Sequence, residues 1–132
     1  NAGCLWATRL QSNYDNGVTN YLYSPVFELT ACAGQNVNVV WNMYLDVYNT
    51  SDYLTLQRRI STDGGTTWTA FNTLGSSFTT DLLDWDYNHT RSISSDIPGP
   101  GTYHVQFRFM FYASAFNNAP GAFIDNFRIA LN

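Results

Sequence analysis

NVNVVWNMYLDVY, residues 36–48, alternates along its length: Val37, Val39, Trp41, Met43, Leu45 and Val47 take one side, Asn36, Asn38, Val40, Asn42, Tyr44 and Asp46 the other. A period of two over so long a run is that of a strand with one face against a core. The same period recurs outward from it. YLTLQRRI (53–60) sets Leu54, Leu56 and Ile60 against Tyr53, Thr55, Gln57 and Arg59. YHVQFRFMFY (103–112) sets Tyr103, Val105, Phe107, Phe109 and Phe111 inward, and AFIDNFRIAL (122–131) does so with Phe123, Phe127, Ile129 and Leu131. YLYSPVFEL (21–29) is an early strand that Pro25 confines to an edge or a bulge. Turn signals separate these runs, at Asp15-Asn16-Gly17, Asp63-Gly64-Gly65, Pro98 to Gly101 and Asn117 to Gly121. Together they predict an all-β fold: two packed antiparallel sheets, a β-sandwich of jelly-roll type, formed by residues 1–132 as a single domain.

The chain has 132 residues, 45% apolar and 17% aromatic, enough to bury a core without staples. Its net charge of −4, with no lysine and no basic cluster beyond Arg58-Arg59, argues against nucleic acid as a partner. No apolar run approaches the roughly 18 residues of a membrane helix, so membrane insertion is not expected. Starting at Asn1, the chain reads as a mature form or as a piece of a longer protein. Cys4 and Cys32 stand near the start of two candidate strands, and the Asn/Ser/Thr/Tyr-rich, lysine-free composition suggests an oxidising, extracellular setting. A Cys4–Cys32 disulfide would close a loop of about 27 residues and stabilise by roughly 3 kcal/mol; the alternative is two unrelated buried thiols.

STDGGTTW (61–68) has the chemistry of a hairpin corner. Asp63 can accept bonds from nearby backbone N–H groups, Gly64 and Gly65 supply positive φ, and Trp68 returns the chain with a large anchor under the turn. The stretch resembles the Asp box of sialidases and other secreted β proteins, a folding element remote from chemistry.

Strict alternation places Asp125 inward, with Phe123, Phe127 and Ile129. An unpaired carboxylate there would be costly, so it must be paired, hydrogen-bonded or bound to a cation. Calcium, which takes six to eight oxygens, suits it. Asp46 and Asp52, flanking DVYNTSD, could add ligands, as could Asn13 and Asp15. The alternative is that Asp125 only accepts backbone N–H bonds.

CLWATRLQSNYDNGVTNYLYSPVFEL (4–29) resembles the opening of MAM-like domains of secreted bacterial peptidases and other exported hydrolases. LQRRISTDGGTTW (56–68) and GAFIDNFRI (121–129) are similar to later landmarks of that group and to subrepeats of reelin. The resemblance implies a jelly roll that often holds a structural calcium, with Asp125 as one ligand, serving as a non-catalytic accessory module of a larger extracellular protein. The group's paired acidic residues read Asp125-Asn126 here, one carboxylate fewer.

Catalysis is set aside. Glu28 is the only glutamate, Asp84 and Asp86 lie two apart in an Asp-rich stretch, and His89 and His104 lack zinc-ligand spacing. No nucleophile motif surrounds any serine. Aromatics beside amides and carboxylates are the combination that holds sugar rings. DWDYNH (84–89) is the densest instance: Trp85 and Tyr87 interleave with Asp84 and Asp86, and Tyr44 and Tyr112 are further outward aromatics. The expectation is therefore a module that binds carbohydrate, with a protein-binding module or a ligand-free spacer as alternatives.

Overall fold

Each alternating stretch forms a strand in the computed structural model, which describes residues 5–32 and 34–132. The strands are β1 (Trp6–Ala7), β2 (Thr19–Ala31), β3 (Val37–Asp46), β4 (Tyr53–Ser61), β5 (Asn72–Thr73), β6 (Asp86–Ser92), β7 (Gly101–Tyr112) and β8 (Gly121–Leu131). They form two four-stranded sheets, β1-β8-β3-β6 and β2-β7-β4-β5. The pairs β1–β8, β2–β7, β3–β6 and β4–β5 are all antiparallel, so the chain is one long hairpin. Rolling that hairpin up brings β3 beside β8 and β4 beside β7. This is the jelly-roll order, a two-sheet antiparallel β-sandwich as expected. Among the described residues no helix is long and apolar enough to cross a membrane.

The hairpin's tip is the stretch after Ser61. Asp63 accepts the Thr67 amide (2.9 Å) and the hydroxyls of Thr67 and Ser61, while the Gly65 amide donates to Ser61 Oγ (2.9 Å). Gly64 and Gly65 take φ of +74° and +86°, and the Trp68 indole donates to Gly65 O. Thr67 on both its groups, then Ser61, hold the Asp63 carboxyl down to about 2.

The core sits between the inner faces. Val37, Val39, Trp41, Met43, Leu45 and Val47 are all buried, as are Leu54, Leu56, Val105, Phe107, Phe109 and Phe111. Where β2 passes Ser24-Pro25 its register against β7 slips by one residue, and the Phe107 amide bonds to Ser24 Oγ instead of to the strand. Pro25 thus occupies a bulge on an edge strand, where its missing N–H breaks no ladder bond.

One carboxylate lies inside. Asp52 has no exposure at all and accepts the Tyr14 hydroxyl on one oxygen and the Ser114 amide (2.7 Å) on the other. Tyr14 in turn accepts the Tyr48 amide (3.0 Å) and packs edge-on to Phe111. Residues from three separate segments are thereby tied at one point. Burial alone would raise the Asp52 carboxyl; the bonds from Ser114 and Tyr14 outweigh it and leave it below the usual range. Burial, then the bond to Asp52, pushes the Tyr14 hydroxyl up to about 12. A raised phenol contributes stability in its protonated form, complete below an ordinary value of about 10 and lost as pH rises through 12. Wild-type stability in urea titrations is therefore expected to fall by about 2–3 kcal/mol between pH 10 and pH 12. Tyr14→Phe should lack that limb and be weaker by about 1–3 kcal/mol at pH 7, because a buried acceptor loses a donor. An unchanged alkaline limb in Tyr14→Phe would refute the assignment.

Candidate functional site

β3 is flanked on both sides by bulges. Against β8, Val40 faces Arg128 and Asn42 faces Asp125, so Asn126 and Phe127 together oppose Trp41. Against β6, Trp41 faces His89 and Met43 faces Asp86, so Tyr87 and Asn88 together oppose Asn42. The extra residues, Asn126 and Asn88, take the left-handed φ values of 52° and 57° that asparagine tolerates better than most side chains. The Asn88 amide, left without a strand partner, donates to Asn42 Oδ1 (2.9 Å). Arg128 reaches from β8 across β3 to Asn88 Oδ1 (2.7 Å).

Each bulge inverts the side-chain phase of its strand. On β8, Phe127 and Ile129 pack on the core as expected. Upstream of the bulge it is Ile124 that is buried, paired with inward Met43. Phe123 and Asp125, expected inward, instead share the outer face with their partners Tyr44 and Asn42. The Asp125 carboxylate accepts the amide of Asn126 (2.8 Å), which is the backbone-bond alternative.

The result on the outer face of the first sheet is a row of four rings from three strands and a loop. Phe123 lies 5.9 Å from Tyr44, Tyr44 lies 6.2 Å from Trp85, and Trp85 stacks on Tyr87 at 6.4 Å. Tyr87 is 63% exposed, while Tyr44, Trp85 and Phe123 are half-buried by one another. Asn42, Asn88, Asp125 and Arg128 occupy the sheet beside the row. Three of the aromatics read from the sequence, Tyr44, Trp85 and Tyr87, thus come together, and Phe123 joins them. Asp84 stays at the rim, exposed, accepting the Trp85 amide (2.7 Å). Asp86 turns the other way and bonds His89 Nδ1 (2.5 Å). The imidazole lies against Trp41 and Phe78, 4.8 and 5.0 Å away, and its Nε2 is buried without a partner. This Asp–His pair therefore faces core rings, not the aromatic row. Tyr112 is on the second sheet, stacked on Tyr53 at 5.1 Å, and is not part of the row.

The carboxylates named as metal ligands do not converge. Asp125 stands opposite Asn42, and Asp46 is four residues further along β3, about 13 Å at strand rise. Asp52 is inside, with both oxygens engaged by Tyr14 and Ser114. Asp46 lacks such donors: burial, then the negative charge of Asp81, raises its carboxyl. These three do not fit one calcium ion, and among the described residues no three His, Cys, Asp or Glu side chains gather as a metal site. Of the expected disulfide, Cys32 is exposed just after β2, and Cys4 lies outside the described residues. A cavity of about 390 Å³ opens at the β2 bulge between Leu22, Phe27, Phe107, Ile124 and Phe127, away from the row.

Comparison with models of known protein families finds no match, and comparison with curated proteins finds none.

Two outcomes follow from this geometry. Asn88→Val and Asn126→Val should each cost about 1–3 kcal/mol in urea unfolding, since a β-branched side chain resists left-handed φ, while glycine at either place stays near wild type. Equal stability of the valine variants would mean that the bulges do not set the phase. Asp125→Ala should cost about 0.5–1.5 kcal/mol, the value of one hydrogen bond, equally in calcium and in chelator. A loss seen only with calcium would restore a metal at that carboxylate.

Proposed function

We propose that this protein binds carbohydrate on the outer face of its first sheet and holds it without cleaving it. The observation that carries the reading is the row Phe123–Tyr44–Trp85–Tyr87, rings laid side by side across strands with amides and a carboxylate next to them. Sugar rings offer an apolar face to such a surface and hydroxyls to its polar margin. A rigid sheet holds the rings in place before the ligand arrives, which lowers the ordering cost of binding. Holding rather than hydrolysis is supported by the state of the nearby acids. Asp84 is bonded to a backbone amide, and Asp86 with His89 is turned to the core. An accessory module in a secreted hydrolase is the setting that suits such a surface, and there the domain would keep an enzyme close to an insoluble polysaccharide.

A protein ligand is the second reading. It is favoured by Leu83, fully exposed two residues before Trp85, an apolar side chain that a sugar would leave uncovered.

Titration of the domain with soluble neutral polysaccharides and their oligosaccharides tests the proposal. Saturable binding is expected, weakened about tenfold, or about 1.4 kcal/mol, in Trp85→Ala and in Tyr87→Ala with the fold retained. Absence of binding across neutral glycans, or full affinity in both variants, would sink it.

A further inference from the structure

The second sheet carries an outer face of different chemistry. Tyr21 and Tyr23 on β2, Arg108 and Gln106 on β7, and Gln57 and Arg59 on β4 point outward side by side. The hairpin tip folds back over them and adds Phe71 and Trp68. The guanidinium of Arg108 lies 4.5 Å from the Tyr21 ring and 4.1 Å from Phe71; that of Arg59 lies 4.9 Å from Phe71 and 4.6 Å from Trp68. Tyr21, Arg108, Phe71, Arg59 and Trp68 therefore alternate ring and cation in one strip. Two of its rings are well open: Tyr21 is 44% and Tyr23 50% exposed.

The partners of these two cations are all neutral. Arg59 donates through Nε and Nη2 to Gln106 Oε1, and Arg108 donates to Gln57 Oε1 (2.6 Å) and the Tyr23 hydroxyl (3.1 Å). Arg9 and Arg58, by contrast, meet Asp15 and Asp96. In a chain with ten carboxylates and six arginines, two arginines share one surface and neither has a carboxylate partner among the described residues. The one acidic residue facing out from β2, β4 or β7 is Glu28, and it is matched by His104 across the β2–β7 ladder (3.3 Å). Each guanidinium keeps more than half of its five N–H donors, and its plane is fixed between rings, so the free donors need no ordering to meet an oxyanion.

We infer that this strip is a second binding face, for a sugar chain bearing anionic groups. The cations would take the carboxylates or sulfate esters, and the rings of Tyr21 and Tyr23 the sugar faces between them. The strip runs across three strands, from β2 through β7 to β4. It thus suits an extended polysaccharide better than an acidic peptide, whose side chains bind by filling pockets. The inference does not depend on the first-sheet reading, since the two faces lie on opposite sides of the sandwich.

The test is binding of the domain, at low and at physiological ionic strength, to polygalacturonate, dextran sulfate and poly-glutamate. Saturable, salt-weakened binding to polygalacturonate or dextran sulfate is expected, and the tighter of the two names the anionic group. Arg59→Gln and Arg108→Gln should each weaken it about tenfold with the melting temperature retained, while Trp85→Ala leaves it unchanged. No binding to either polysaccharide, equal affinity for poly-glutamate, full affinity in both glutamine variants or loss in Trp85→Ala would each overturn it. Should the glutamine variants fail to fold, amide shift changes on titrating the wild type decide instead. Changes on β4 and β7 support the site, and changes confined to β3 and β6 reject it.

Discussion

The bond from the Asn88 amide to the side chain of Asn42 holds the middle of the first sheet, and much of the molecule's surface follows from it. β3 is one residue short against each neighbour, so β6 and β8 must each fold one residue out of the ladder. Both do so with asparagine in the left-handed region, and both change phase there. A strictly regular first sheet would turn Phe123 into the core and remove the near end of the aromatic row. The cost of two left-handed residues, about 1–2 kcal/mol each, is offset by the bonds that the freed groups make to Asn42 and Arg128.

Two buried or half-buried acids show how the same charge is handled in opposite ways. Asp52 lies deeper, yet its carboxyl is held low because a phenol and an amide are aimed at its oxygens. Asp46 is less buried, yet its carboxyl is raised, first by burial and then by the charge of Asp81, because no such donors are aimed at it. The number and aim of the donors decide the direction here, not depth alone.

The alternation in β3, β4 and β7 could be read directly because those strands carry their inward residues through without a change of phase, and even the proline bulge in β2 was announced by Pro25. β8 could not be read to its start. The bulge sits at Asn126-Phe127, and nothing in a pair of side chains says that one of them will take positive φ, although asparagine in an apolar strand is the residue type that does. Asp125 was therefore expected on the inner face, whereas it stands opposite Asn42 on the outer one. Asp52 was read as a further calcium ligand, because the partners that engage its oxygens, Tyr14 and Ser114, are far away in sequence. Of the aromatic site, Trp85, Tyr87 and Tyr44 were legible from local spacing, and Phe123 was hidden by the phase error. The strip on the second sheet was invisible because Phe71 and Trp68 reach it only when the hairpin tip curls over Arg59 and Arg108.

The rolled hairpin also fixes an order of events. Only the tip, where β4 meets β5, joins segments close together in the chain; the outermost pair ties Thr8 to Pro120, 112 positions apart. Loop closure of that length places such a topology among slow folders, on a scale of milliseconds to seconds. During synthesis β3, like β1 before it, waits for β8, the last of the eight strands to be made. Until β8 arrives, the apolar edge of β3, with Trp41 at its centre, has no cover on that side, and this is the interval in which the chain is most open to pairing with another copy of itself.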